Sequence, residues 1–189
     1  MDLIKEKGYD SVTLNDICTA ASISKNTFYY YFKSKEELLL QFYSTPMDAI
    51  ISNLTSILME ENSVDQFWKL IEPMLDFIVE NGTEITKRML FALTNQNIDP
   101  YNISGFRQDR NDVGVKIIER AQSSGEIINS SDPVLLFNNV QAQTIGVIIF
   151  WCTQKGEFDF KNAVRLAIEV CLDVKPELRK ASPSIFAKS

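Results

Sequence analysis

Apolar residues recur along this chain at helical spacing, and no stretch alternates with the period of two that marks a half-buried strand. The pattern predicts about ten helices. The first ends at Gly8, where a residue without a side chain can turn left-handed. The second runs from Thr13 to Ala21, with Thr13 as N-cap and Leu14, Ile17, Cys18 and Ala21 forming one apolar face. A third follows Ser24 and ends near Phe32. The fourth opens with Ser34-Lys35-Glu36-Glu37, the pattern of a capping box. Further segments cover 46–60, 64–81, 83–96, 104–124, 133–155 and 160–173. Pro46, Asp132-Pro133 and Asp159 mark starts, while Gly82, Gly125 and Gly156 mark ends. Pro73 should kink or split its segment. The tail from Lys175, with Pro176 and Pro183, is expected to be poorly ordered. The fold class that follows is all-α.

The segment from 13 to 43 carries the most information. Two short helices flank the three-residue turn Ser22-Ile23-Ser24, the length of a helix-turn-helix connection. Phe28, Tyr31 and Phe32 are expected to pack back on Leu14, Ile17 and Ala21, with Ile23 plugging the junction. The opposite face then presents Lys25, Asn26, Tyr29 and Tyr30, one cation, one amide and two phenols without an acid. Cations and hydroxyls suit phosphates, and amides and rings suit base edges. Tyr29, Tyr30 and Tyr31 lie about 100° apart on a helix, so at least one must face outward.

Composition narrows the function. Of 189 residues, 45% are hydrophobic and 23% charged, which allows a substantial core. The longest uninterrupted apolar run, Ile145–Cys152, is far short of the roughly twenty residues that cross a bilayer. The first residues lack the apolar stretch of a secretory signal. No membrane association and a cytoplasmic location are therefore expected. Histidine is absent, which removes the commonest general base and zinc ligand. No metal, no cofactor and no enzymatic activity are expected. Cys18, Cys152 and Cys171 form no CxxC pair and read as small buried hydrophobes, with a redox sensor second. The net charge of −6 argues against indiscriminate nucleic-acid binding, yet Lys25, Lys33 and Lys35 are the only charges between 17 and 35.

Residues 8–42 resemble the DNA-binding domain of TetR-family transcriptional regulators. The matching features are Gly-aromatic at 8 and 9, Thr13, Ala20-Ala21, Ser24-Lys25, the run Thr27 to Phe32, and Ser34-Lys35-Glu36-Glu37-Leu38. More loosely, Gly125 with Ile127, Asp132-Pro133 and a long apolar helix with Gly146 and Trp151 look like the family's dimer region. The resemblance implies a helix-turn-helix domain over 1–45, a helical ligand-sensing and dimerisation domain over 46–175, and a tail over 176–189. It implies that Thr13 and Lys35 hold phosphates, while Ser24, Lys25, Asn26, Thr27, Tyr29 and Tyr30 meet the major groove, Tyr29 on a phosphate. Ser22 stands where the family usually has glycine, and Asn26 where it often has a small residue. A left-handed serine costs roughly 1 kcal/mol, and an asparagine can read adenine bidentately. Helix 1 is short for the family, so a longer natural N-terminus is expected.

The implied partners are a double-stranded DNA operator, a second copy of the chain, and a small-molecule effector. Pocket positions are sought among Trp68, Phe77, Met89, Phe91, Phe106 and Trp151, because Met and Trp suit adaptable apolar cavities. The dimer is sought on the last two long helices, at Phe137, Ile145, Ile148, Ala163, Ala167, Val170 and Val174. The expected function is a sequence-specific transcriptional regulator, a repressor released from a palindromic operator by a small molecule. The alternative is a DNA-bound dimer without such a ligand, answering to a protein partner or organising the chromosome.

Overall fold

The computed structural model describes residues 2–41, 54–95 and 108–184. Within them the order is α1 (Asp2–Lys7), α2 (Leu14–Ala20), α3 (Lys25–Tyr31), α4 (35–41), α5 (Leu54–Leu58), α6 (Ser63–Asn95), α7 (Gln108–Ser123), α8 (Pro133–Thr153) and α9 (Phe160–Cys171). A short 3-10 turn, Pro176–Leu178, follows. The described residues hold no strand, only an isolated antiparallel bridge between Ile127 and Val174. The expected 45/46 boundary, Pro46 and Phe106 lie outside the described residues.

The N-terminal helices are short and end for identifiable reasons. Thr13 and Asp16 form a reciprocal capping box at the start of α2. Ser22 turns left-handed at φ 55°, where the absent glycine would have been unstrained. Ser34 accepts from the Glu37 N–H at 3.1 Å, but Glu37 reaches back to the Lys33 N–H instead of that of Ser34.

The larger domain packs α6 against α7 and α8, and α8 against α9. Gly82, at φ 73° and ψ 176°, breaks α6 into two helical arms at the predicted place. Pro73 leaves its arm without a non-helical residue, so the expected split there does not occur. Gly114 lets α7 approach α8 closely, since a Cβ there would stand 2.3 Å from the Phe137 ring. Asp132 caps α8 by accepting from the N–H groups of Val134 and Leu135. Counting uninterrupted apolar runs missed one property of this helix. Its 21 residues lack any charge and are long and apolar enough, by length and composition, to cross a membrane. Here one side of α8 packs on its neighbours, with Leu136, Val140, Trp151 and Cys152 buried.

The tail also departs from expectation. Glu169 is 2% exposed and accepts from Arg165 Nε (2.9 Å) and from the backbone N–H of Lys180 (2.8 Å). Asp65 accepts from Arg165 (2.8 Å) and from Lys180 (2.6 Å), and Asn162 exchanges hydrogen bonds with Ser182. These bonds fix residues 175–182 across the start of α6 and the side of α9. Proline removes helix, but it does not remove donors that a buried carboxylate can collect.

Candidate DNA-recognition surface and ligand cavity

The geometry of α3 follows from one anchor. Phe28 is 1% exposed and meets Phe32 at 5.4 Å between ring centroids. At 100° per residue, Asn26 and Tyr30 project opposite Phe28, with Lys25 and Tyr29 on one flank and Thr27 and Tyr31 on the other. All six are exposed, Tyr30 at 81%. Tyr31 is therefore not in the core as expected. The chain leaves helical geometry at Phe32 (φ −136°, ψ 132°) and swings that ring inward, leaving Tyr31 outside at 67% exposure. Ala21 and Ile23 are likewise exposed, and Leu14 and Ile17 only half-buried.

Four of the residues assigned to DNA are already engaged within the chain. The Thr13 hydroxyl bonds the Asp16 carboxylate, and these bonds hold Asp16 below the usual carboxylate range. Ser24 caps α3, accepting from the Thr27 N–H at 3.0 Å, and its hydroxyl lies 2.8 Å from that of Thr27. Lys35 Nζ donates to the carbonyls of Tyr9 (2.8 Å) and Val12 (2.9 Å) and sits 4.0 Å from the centre of the Tyr9 ring. An ammonium has three protons, so one remains for a phosphate. Burial, then the charge of Glu36 and the bond to it, pushes the Tyr9 hydroxyl well above its ordinary range.

Two features join this domain to the rest. Arg88 pairs with Asp10 across a cleft of about 420 Å³ that runs from Gly8–Ser11 to Asn81–Arg88. Beside it, Leu39 of α4 and Met89 of α6 face one small void. Met89 also lines a larger cavity of about 440 Å³ between α6 and α8. Its wall includes Phe67, Leu70, Met74, Phe137 and Ile148, and no described lining residue is charged.

Of the described positions sought for the pocket, only Met89 lines this cavity. Phe77 lines the small void, and Trp68 lies under Arg165 at 4.9 Å with its indole N–H toward Glu72. Phe91 is 62% exposed, and Trp151 is buried against Phe160. Aromatic type could not reveal which face of its helix each residue takes.

The dimer positions divide in the same way. Phe137, Ile148, Ala163 and Val174 are buried within the subunit. Ile145 and Val170 are exposed and Ala167 half-buried. The uncovered apolar surface includes Val134, Leu135, Ile149 and Phe150 of α8 and Val170 of α9.

Comparison with known proteins bears on both halves. Residues 1–42 match the sequence model of the bacterial regulatory proteins of the tetR family. The transposon Tn10 TetC protein of Escherichia coli is 30% identical over 83 residues, which are 44% of this chain and 42% of that protein. The IcaR negative transcriptional regulator of the biofilm operon icaADBC in Staphylococcus aureus is 28% identical over 103 residues, 54% and 52% of the two chains. The chain thus matches about half the length of these curated relatives. Among solved structures, Thermus thermophilus FadR in complex with lauroyl-CoA superposes with a TM-score of 0.67 at 16% identity, covering 97% of this chain and 94% of that one. Bacillus subtilis FadR with stearoyl-CoA gives 0.66 at 18% identity, covering 90% and 92%. At these identities the likeness is one of fold.

Proposed function

Because the chain belongs to the TetR family through its first 42 residues, we propose that it is a dimeric, operator-binding transcriptional repressor released by a small molecule held between α6 and α8. It acts in the cytoplasm, on DNA, and has no catalytic role. The observation that carries the reading is the acid-free exposed face of α3, with Asn26 and Tyr30 set opposite the buried Phe28. Asn26 reads a base edge in the major groove, and Lys25, Tyr29 and the spare Lys35 proton hold phosphates. Thr13, Ser24 and Thr27 shape the helix ends and offer their remaining lone pairs and backbone to the groove. Tyr31 joins this surface.

One such helix reads only a few base pairs, so specificity requires two, placed by a two-fold axis on a palindromic site. The apolar surface of α8 and Val170 of α9 supplies the contact between copies. The two FadR structures carry acyl-CoA molecules, whose acyl chain supports a ligand with a hydrocarbon portion for the uncharged cavity here.

Coupling runs through Met89. Its side chain touches both the cavity and the void beneath Leu39, and α4 in turn clamps the loop before α2 through Lys35. A ligand that displaces Met89 shifts α4 and changes the separation of the two α3 helices. Release then requires tighter ligand binding to the DNA-free spacing than to the DNA-bound one.

Fluorescence anisotropy on operator-selected and scrambled duplexes at several salt concentrations tests the reading. Selective binding that weakens steeply with salt is expected. Equal affinity for every duplex would defeat it.

A further inference from the structure

Resting on the effector reading above, we infer that the cavity between α6 and α8 takes a ligand with a long hydrocarbon body and an uncharged, hydrogen-bonding head. Four polar side chains, Thr94, Asn138, Gln141 and Thr144, stand on its wall among the described residues. Thr94 spends its hydroxyl proton on the Leu90 and Phe91 carbonyls of its own helix, and Thr144 spends its proton on the Val140 carbonyl at 2.8 Å. Asn138 and Gln141 are the other polar side chains that line it, and neither has a hydrogen-bond partner among the described residues. Three residues apart on α8, they share one side of that helix.

Their placement gives the cavity a direction. Asn138 is exposed and Gln141 half-buried, so the amides stand on the rim where the cavity opens to solvent, beside the exposed Ala142, Ile145 and Ile149. Leu70, Leu75 and Met89 are each at most 3% exposed and mark the closed, hydrocarbon end. Two primary amides offer both N–H donors and carbonyl acceptors. That complement fits an amide, ester, lactone, ketone or alcohol. A carboxylate or phosphate drawn to the same depth loses its hydration and meets no cation among the described lining residues, which is costly. The hydrocarbon wall rewards length, since each buried methylene tightens binding about fourfold.

The test titrates the full chain with two homologous series, straight-chain primary amides and the corresponding carboxylates, at pH 8. Calorimetry reads affinity. Labelled methionine methyl spectra report the site, because Met74 and Met89 line the cavity whereas Met59 is 79% exposed elsewhere. The expected result is that amides bind at least about tenfold tighter than carboxylates of equal length, consistent with one hydrogen-bonded head. Their affinity should rise with chain length to a plateau, shifting Met74 and Met89 but not Met59. Replacing both amides, Asn138→Leu with Gln141→Leu, should erase the preference, and Gln141→Arg should reverse it. Circular dichroism confirms that each variant is folded.

Carboxylates or lauroyl-CoA binding the parent protein as tightly as the amides would overturn the inference, as would absence of binding by both series. Operator release is measured separately by anisotropy. Amides that fill the cavity without releasing DNA would support this ligand class and overturn the effector reading.

Discussion

Lys35 shows how one side chain can serve two masters. Its ammonium ties α4 to the Tyr9 and Val12 carbonyls, and the proposed phosphate contact falls to its remaining proton. Lys35→Ala is therefore expected to lower the melting midpoint and to weaken binding to all duplexes alike, with the salt slope reduced by about one unit. Asn26→Ala, on a fully solvated face, should leave the midpoint unchanged and relax preference at one base pair, at about 1–3 kcal/mol. Thermal melts beside anisotropy distinguish the two. An unchanged midpoint in Lys35→Ala would remove the clamp, and an unchanged salt slope would remove the phosphate contact. A different residue governs acid stability. Burial alone would raise the Glu72 carboxyl, but hydrogen bonds from Lys69 and Lys161 hold it at about 2, below its ordinary 4.5. Its stabilising contribution is complete above about pH 4.5, where the unfolded chain is also ionised, and fades as pH falls toward 2. Between pH 5 and 2.5, the midpoint of Glu72→Gln should fall less than that of the parent. Parallel curves for the two proteins would show that Glu72 is not a source of the acid sensitivity.

At the scale of elements, chemistry tied to the backbone was legible, and the choice of helix face often was not. Thr13, Ser24 and Asp132 cap where their side chains can reach free N–H groups, and Gly82 breaks α6 because few other residues take its backbone angles. The left-handed turn at Ser22 was readable because the family resemblance placed a glycine there. Tyr31 was misplaced because Phe28 and Phe32 already fill the space beneath α3, a matter of room and not of periodicity. The pocket aromatics failed for a related reason. Phe77 and Trp151 pack in the core, while leucines, isoleucines and methionines wall the cavity together with two other aromatics, Phe67 and Phe137. The tail is held by Glu169 and Asp65, two carboxylates in otherwise ordinary helix patterns, and by Asn162. Gly114 tests this close packing directly. In Gly114→Ala the new methyl must push the Phe137 ring, which lines the cavity. Overpacking of this kind typically costs about 1–3 kcal/mol. The expected outcome is a lower midpoint together with weaker binding of the longest ligands, by urea melts and calorimetry. A variant with parent stability and parent affinity for every chain length would mean that α7 and α8 have room to spare.

The whole molecule poses a question of cover. α8 carries no charge, and one isolated subunit leaves Val134, Leu135, Ile149 and Phe150 between 43% and 54% exposed. Helices apolar on more than one face normally find cover on each, and Val170 on α9 is a further exposed apolar residue, at 65%. Among the described residues nothing lies within 4 Å of where a Cβ on Gly146 would be. The proposed second copy would cover these residues, since two α3 helices on a palindromic site need a two-fold axis and an isologous contact supplies one. The sequence places the expected contact on α8 and α9, but Phe137, Ile148, Ala163 and Val174 are buried within the subunit. Substitutions must instead fall on residues that are more than half exposed in the subunit. Leu135→Glu and Val170→Asp, at positions 54% and 65% exposed, should each place a charge in the proposed contact at little cost to the subunit fold. Light scattering at micromolar concentration is expected to give twice the chain mass for the parent and the single-chain mass for both variants, with circular dichroism unchanged. Operator affinity should fall in parallel, while single half-site binding, weak in every case, stays the same. A monomeric parent would defeat the two-fold arrangement. Dimeric variants would move the contact to another face and leave the apolar surface of α8 without its proposed partner.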